Sequence, residues 1–369
     1  MSEITEKPLK ILYIGWANHV HFIRWVEYFV AVGHRVWILP VSPGKIDGAT
    51  TLPFITSQKR LNFQKFELKL YNSLFQFDLV HVHWAGFAEI PFFAGLKPYV
   101  VTVWGSDIYN ISEYSVDSQK RIVAALQNAA LVTVDSEDLK RAVEDLGVKS
   151  SRIKVVQWGV DSKMFRPCLK DTVLANELGI EGRRVIYSPR NIAPIYNNDI
   201  ILQAVKVLLE RFPDVVLVQK HYNCAQEKVD AYLATAEKLG IRDSVKLIGT
   251  MEYEKLPMIY ALADAVVSIP SSDGTPMSVL EAMACGVVPV VSDLPSLREW
   301  IQDGYNGFLV SIGDHIMLAD RLADVLSASE WRESVISRNL DLVVKRADHY
   351  SNMKLIDNCY REVVDCSCI

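Results

Sequence analysis

Short apolar runs rich in Val and Ile alternate with longer amphipathic stretches along the whole chain, and this alternation restricts the fold more than any single motif. A short continuous apolar run suits a strand buried on both faces, which a parallel sheet covered by helices provides. The first series predicts strands at Lys10 to Ile14, Val36 to Leu39, Leu79 to His83, Val100 to Val103, Leu131 to Val134 and Ile153 to Val156. A helix from about His21 to Val32, stopped by Gly33, follows the first of them. The second series predicts strands at Val185 to Tyr187, Val215 to Val218, Val245 to Ile248, Ala265 to Ile269, Val287 to Val291 and Phe308 to Val310. Helices from about His315 to Ala328, Trp331 to Arg346 and Tyr350 to Val364 close the chain. The pattern reads as two doubly wound α/β domains joined through Trp158 to Lys170. With 369 residues, half of them hydrophobic, the chain has enough apolar surface for two cores.

The densest chemistry lies between Ser271 and Val310. Thr275 suits a helix N-cap and Pro276 the first helical position, where a missing N–H costs nothing. The helix then runs to about Cys285 and stops at Gly286. In that geometry the free N–H groups of Met277, Ser278 and Val279 point out of the helix start, where an anion such as a diphosphate can be held. The cradle spans Gly274 to Val279, with Asp273 flanking it from the loop and Glu281 reaching it from the second turn. An anion cradle with two fixed hydroxyl acceptors fits a nucleotide sugar. A capped helix after a buried strand is also ordinary architecture that carries no chemistry.

This stretch resembles the donor-binding core of family 4 retaining glycosyltransferases of the GT-B fold, the glycosyltransferase group 1 type. The family pattern of an acidic residue, seven residues and Glu appears as Asp273 and Glu281. Ala282-Met283-Ala284-Cys285-Gly286 and Val288-Pro289-Val290-Val291 follow, with one residue more than usual before Pro289, and then Glu299, Ile301, Gly304, Gly307 and Leu309-Val310. The resemblance implies a GT-B architecture, two Rossmann-like doubly wound domains facing across a cleft. It implies an acceptor-side domain over residues 1–165 and a nucleotide-sugar domain over 166–348, with the last helix, 349–369, packing back on the first. The segment from Trp158 to Lys170 resembles the family's crossing between domains.

The same resemblance assigns roles. Asp273 orients sugar hydroxyls and Glu281 holds the ribose hydroxyls, while Arg190 and Lys220 join the helix start on the diphosphate. Arg190 matches the family Arg, but Ile195 and Tyr196 stand where a Lys is expected, and Lys220 is the available substitute. Gly15 and Trp16 come at the end of the first strand, at the carboxyl edge where open α/β sheets bind ligands, and are assigned to donor binding. His21, Arg24, Trp25 and Gly33-His34 resemble a family helix pattern, mostly as packing. His83 ends a family-like strand, either near the cleft or as a buried, hydrogen-bonded core residue. Trp104 replaces the usual cleft His, as in the W-G-S-D branch, and cannot act as a base. Polar chemistry then passes to Asp107, Ser106, His83 or the substrate, with Asp273, His83 and Asp107 as the catalytic candidates. The implied reaction is retaining transfer from a UDP- or GDP-sugar to a hydroxyl acceptor, in glycan, glycolipid or glycoconjugate synthesis. The leaving phosphate can take the acceptor proton, and no metal or cofactor is implied beyond the nucleotide-sugar substrate, UDP-sugar being favoured. A nucleotide-sugar 2-epimerase or a non-catalytic nucleotide-sugar-binding subunit remain alternatives.

Charge and cysteine usage narrow the partners. Up to Phe165 there are 18 Lys and Arg against 16 Asp and Glu, and beyond it 21 against 28, so neither half resembles a basic nucleic-acid surface. The stretch from Lys59 to Phe77 mixes Lys59, Arg60, Lys65 and Lys69 with apolar residues, a composition that also suits weak attachment to a membrane surface. Its alternation at Phe66, Leu68 and Leu70 is read here as a half-buried strand. His81-Val82-His83 has metal-like spacing without a recognisable third ligand. Six scattered cysteines suit reduced thiols, and the ending Cys366-Ser367-Cys368-Ile369 matches a prenylation box as a chance tetrapeptide does. The N-terminal sequence MSEITEKPLK has no signal-peptide core, so a cytoplasmic chain is expected, peripheral at the inner membrane face where the basic patch attaches. A dinucleotide oxidoreductase is disfavoured, because no G-x-G-x-x-G follows the first strand.

Overall fold

The computed structural model describes residues 7–53, 61–327 and 329–367. Two compact units account for them: the chain up to Trp158 together with Tyr350 onward, and Gly159 to His349.

The first unit is built on a parallel sheet of seven strands. They are β1 (Lys10–Gly15), β2 (Arg35–Pro40), β3 (Thr50–Thr51), β4 (Leu79–His83), β5 (Tyr99–Thr102), β6 (Leu131–Val134) and β7 (Ile153–Val155), in the order β3-β2-β1-β4-β5-β6-β7. Ile11 pairs with Val36 on one side and Leu79 on the other. All five residues of β4 are buried, the burial that a strand covered on both faces requires. The order reverses between β1 and β4, which opens a crevice at their carboxyl ends. Gly15-Trp16 and His83-Trp84 are the residues placed there.

The second unit repeats the plan with six parallel strands. These are β8 (Arg184–Ser188), β9 (Val215–Lys220), β10 (Val245–Ile248), β11 (Ala265–Ser268), β12 (Val288–Ser292) and β13 (Phe308–Val310), ordered β10-β9-β8-β11-β12-β13. The reversal falls between β8 and β11, so the loops after Ser188 and Ser268 border the second crevice. Arg190 and Asp273 lie on those two loops.

Several local expectations are corrected. Leu61–Phe75 is a helix and not a half-buried strand: Leu68 is fully buried while Phe66, Leu70 and Leu74 face solvent at intervals of one helical turn. Lys59 and Arg60 lie outside the described residues. The short edge strand Thr50–Thr51 has no apolar run to announce it. The segment after Trp158 is folded into the second unit and is not an open linker: Phe165 is buried with its ring 5.2 Å from that of Tyr253 and 6.1 Å from that of Tyr260. The contact boundary accordingly falls at Trp158-Gly159, ahead of Phe165.

The final helix, His349–Ser367, belongs to the first unit from Tyr350 onward. Its buried Tyr360 accepts a hydrogen bond from Trp25 Nε1 at 3.1 Å, lies 3.3 Å from the Tyr13 hydroxyl and contacts His81 Nδ1. Asp357 on the same helix pairs with His34 at 3.1 Å.

Candidate functional site

The crevice of the second unit is organised by the helix Met277–Ala284. Pro276 is its N-cap and not its first residue, with ψ at 102°, so Thr275 lies outside the helix and receives the Trp300 indole N–H at 3.4 Å. The Val279 N–H is already bonded to Pro276 O at 2.9 Å, which leaves Met277 and Ser278 as the donors with no backbone acceptor among the described residues. Ser278 Oγ is buried there with no partner among the described residues. Gly286, at φ +78°, ends the helix as Val287 N bonds to Ala282 O.

The loop ahead of this helix is held from below. Ser292 Oγ donates to Pro270 O and Ser296 Oγ to Asp273 O, both at 2.7 Å. Asp273 is thereby presented to Arg190, and Asp273 Oδ2 lies 3.0 Å from the guanidinium. Burial raises the Asp273 pKa, while Arg190 and the Gly274 N–H pull it down without cancelling that shift. Burial also opposes the Arg190 charge, but Asp273 and then Tyr196 outweigh it, and its pKa rises. Tyr196 occupies the place of the expected Lys: its hydroxyl is 3.0 Å from Arg190 and its ring centre 4.4 Å from the guanidinium carbon. The replacement therefore orients one cation by hydrogen bonding and cation–π contact in place of adding a second.

Glu281 is buried, with Oε1 accepting from Tyr253 at 2.9 Å and Oε2 from Tyr260 at 3.0 Å. Burial and then the Glu281 charge push the Tyr260 pKa well up, so Tyr260 stays a donor. Lys220, at the end of β9, feels both Glu281 and Arg190; burial is the largest influence and lowers its pKa. An ion pair, Arg190 with Asp273, thus precedes an uncapped helix start, with Glu281 on the helix and Lys220 at the end of the neighbouring strand β9. Tyr253 and Tyr260 were not legible beforehand, because nothing in their spacing from Glu281 marks them as its partners.

The first unit places the remaining candidates differently. Gly15 is a packing residue, since a Cβ there would lie 2.5 Å from the Phe22 ring. His83 is buried, and burial followed by the nearby His19 lowers its pKa to about 3, so it is neutral. His83 Nε2 has no partner among the described residues. His81 spends both ring nitrogens on Thr102 Oγ1 and Tyr360. Asp107 spends both oxygens on backbone, accepting from Trp104 N at 2.9 Å and Ala85 N at 2.7 Å, so its geometry is that of a positioning residue. Trp16 and Trp104 are joined by Trp84, whose place in the cluster the sequence did not reveal: Trp16 lies 5.0 Å from Trp84 and 5.3 Å from Trp104 between ring centres.

Comparison with known proteins adds the following. Residues 171–340 match the family model "Glycosyl transferases group 1", and residues 10–136 match "Glycosyl transferase 4-like". The D-inositol 3-phosphate glycosyltransferase of Nocardia farcinica is 29% identical over 214 residues, covering 56% of this chain and 47% of that protein. Spore coat protein SA of Bacillus subtilis is 27% identical over 197 residues, covering 50% and 52%. The chain spans about half the length of these curated relatives. Among solved structures, Anabaena HepE in complex with UDP-glucose superposes with a TM-score of 0.84 at 18% identity, covering 96% of this chain and 100% of that one. Sucrose-phosphate synthase from Thermosynechococcus elongatus gives 0.80 at 14% identity, covering 97% and 100%. These likenesses establish the fold, two parallel-sheet domains of GT-B type.

Proposed function

Because the chain belongs to the group 1 glycosyltransferases of family 4, we propose that it transfers a sugar from a nucleoside-diphosphate donor to a hydroxyl acceptor. The observation that carries this reading is the Arg190–Asp273 pair at 3.0 Å just ahead of the helix Met277–Ala284, whose start has no side-chain cap and whose second turn carries the buried Glu281.

Each group has a use in that reaction. The N–H groups of Met277 and Ser278, with the Ser278 hydroxyl, Arg190 and Lys220, hold the diphosphate and stabilise the charge that grows on it as the glycosidic bond breaks. Arg190 leaves its pairing with Asp273 for the phosphate, and Asp273 turns to the sugar hydroxyls. Glu281 binds the ribose hydroxyls. A carboxylate has about four lone-pair positions, so the two tyrosine bonds leave capacity for two hydroxyls. UDP-sugar is the favoured donor, in keeping with the UDP and UDP-glucose bound by the Anabaena neighbour. Transfer proceeds with retention, the leaving phosphate taking the acceptor proton, and without an essential metal. Nothing in the comparisons favours the epimerase reading. The exposed Phe66, Leu70 and Leu74, beside Lys69, give an accessory contact to an anionic membrane surface.

The test is calorimetric titration of UDP-glucose and UDP into the protein and into Glu281→Ala, alongside transfer assays with and without EDTA. Hydrogen bonds to a charged group contribute about 1.5–3 kcal/mol each, so losing both ribose bonds should weaken donor binding about 100-fold or more. Transfer should survive EDTA. Unchanged donor affinity in Glu281→Ala would remove the central assignment, and inhibition by EDTA reversed by a divalent ion would remove metal independence.

A further inference from the structure

The carboxyl ends of β1, β4 and β5 each deliver a tryptophan: Trp16, Trp84 and Trp104. Their ring centres are 5.0, 5.3 and 6.2 Å apart pairwise, and Phe87 lies 5.0 Å from Trp16. All three indoles remain half-buried, and none belongs to the apolar cluster that forms the core of this unit. They lie outside that core and meet edge to face, at 78°, 64° and 76°, with Trp104 also 4.6 Å from His19 and 5.0 Å from Trp158, so the cluster offers separate ring faces and not one flat surface.

The backbone of Trp84 is the second observation. It has φ +97° and ψ 125°, a region that glycine enters freely and a bulky side chain does not. Such strain persists where surrounding bonds over-determine it. Trp84 N donates to Thr102 O at 2.9 Å, its indole N–H points to the Tyr114 hydroxyl at 3.3 Å, and Asp107 clamps the next residue, Ala85, and the Trp104 backbone. An indole kept at a glycine-like position, on a loop clamped from both sides, is placed for contact with something outside the core.

The third observation is polar. Trp104 Nε1 and His83 Nε2 are both buried in this cluster without a partner among the described residues, and the two rings are 6.3 Å apart. A buried polar atom without a partner is costly, and an arriving ligand with hydroxyl groups relieves that cost. A half-exposed aromatic cluster with buried, unpartnered polar atoms among its rings matches the chemistry of a pyranose. The sugar's axial C–H groups, polarised by the ring oxygens, fit the electron-rich indole face, and its equatorial hydroxyls reach those polar atoms.

We propose that Trp16, Trp84 and Trp104 form an aromatic platform at which a pyranosyl ring stacks on one indole face and meets the neighbouring indoles beside it, with Trp104 Nε1 and His83 Nε2 bonding its hydroxyls, so that the acceptor is a saccharide. The identification of this ring with the acceptor rests on the transferase reading; the binding of a pyranoside by the platform does not.

The test follows tryptophan fluorescence while octyl glucoside below its micelle concentration, maltose, cellobiose and methyl α-mannoside are titrated in, with myo-inositol and octyl phosphate as contrasts. At least one pyranoside should bind in the millimolar range, and octyl phosphate should not match octyl glucoside. Trp16→Ala and Trp84→Ala should each weaken that binding about tenfold, the upper range for one aromatic contact. Trp84→Gly guards against misfolding, because it relieves the strained φ; it should keep its thermal midpoint or raise it while losing the saccharide. Thermal shift by UDP-glucose should be the same in both Trp84 variants. No binding by any pyranoside, equal binding by Trp84→Gly, or a preference for octyl phosphate would each overturn the platform. Saccharide binding without any response to UDP-glucose would overturn the transferase reading and leave the platform standing.

Discussion

Asp107 shows how a buried carboxylate is spent on positioning. It is about 1% exposed, and burial raises its pKa to about 6, against the pull of the backbone N–H groups of Ala85 and Trp104. A carboxyl whose pKa is raised on folding binds its proton more tightly in the native state than in the unfolded chain. Between roughly pH 4 and pH 6 the native state holds the proton that the unfolded state has released, so rising pH lowers stability across that window, by about 3 kcal/mol for a shift of this size. Asp107→Asn should lose that slope while starting from a lower baseline, since its amide NH₂ faces a backbone donor. Chemical denaturation of both proteins from pH 4 to pH 7.5 measures the difference, and parallel curves would refute the assignment. The position of Asp107 beside Trp104 was legible in the sequence; the use of both its oxygens on backbone was not, because those partners are fixed by the turn of two separate loops. The same limit applies to Glu281. Its reach from the second helical turn follows from spacing, whereas Tyr253 and Tyr260 arrive from a different helix and loop that only the folded second unit brings to it.

Elements buried on both sides were the most readable, since Ala265 to Val267 of β11 and Val288 to Val291 of β12 are apolar runs buried at every position, with no solvent face to confuse the pattern. Half-buried elements were harder. Phe66, Leu68 and Leu70 alternate as a strand would, yet Leu61 to Phe75 contains no Gly or Pro, and that uninterrupted length favours a helix when the local period is ambiguous. The error matters for function, because a helix gathers Phe66, Leu70 and Leu74 into one exposed stripe and turns Leu68 into the core. Helix position was readable to within a residue at Met277, where proline fits either the cap or the first turn. The membrane contact can be checked by sedimentation with vesicles of phosphatidylglycerol and of phosphatidylcholine alone. Burying one large apolar side chain contributes about 1.5–3 kcal/mol, so Phe66→Ser with Leu70→Ser should reduce binding to the anionic vesicles at least about tenfold. Binding that is equal for both lipids, or unaffected by the double substitution, would count against the contact.

At the scale of the molecule, the chain leaves the first unit at Trp158, builds the second and returns at Tyr350, so the first unit is completed only by the last residues. The return is fastened by Tyr360, which is fully buried and meets Tyr13, Trp25 and His81 through its hydroxyl, while its ring lies 4.9 Å from that of Phe29. Tyr13 and His81 are on β1 and β4, the two strands that flank the reversal of strand order, so the final helix braces the sheet where its crevice opens. Replacing a buried aromatic residue by alanine costs about 3–5 kcal/mol, and Tyr360→Ala also strips partners from three buried polar groups. Tyr360→Phe separates the two effects, since it keeps the ring and loses only the hydroxyl. The expected result is a lowered midpoint in both variants, larger for Ala. Hydrogen exchange should accelerate along β1 and β4 while the amides of β8 and β11 keep their protection. Donor-induced stabilisation should persist at temperatures where the variants remain folded, because the groups assigned to the nucleotide lie in the second unit. Equal acceleration in both sheets would show that Tyr360 supports the molecule as a whole, and an unshifted midpoint in Tyr360→Ala would show that the last helix does not complete the first unit energetically.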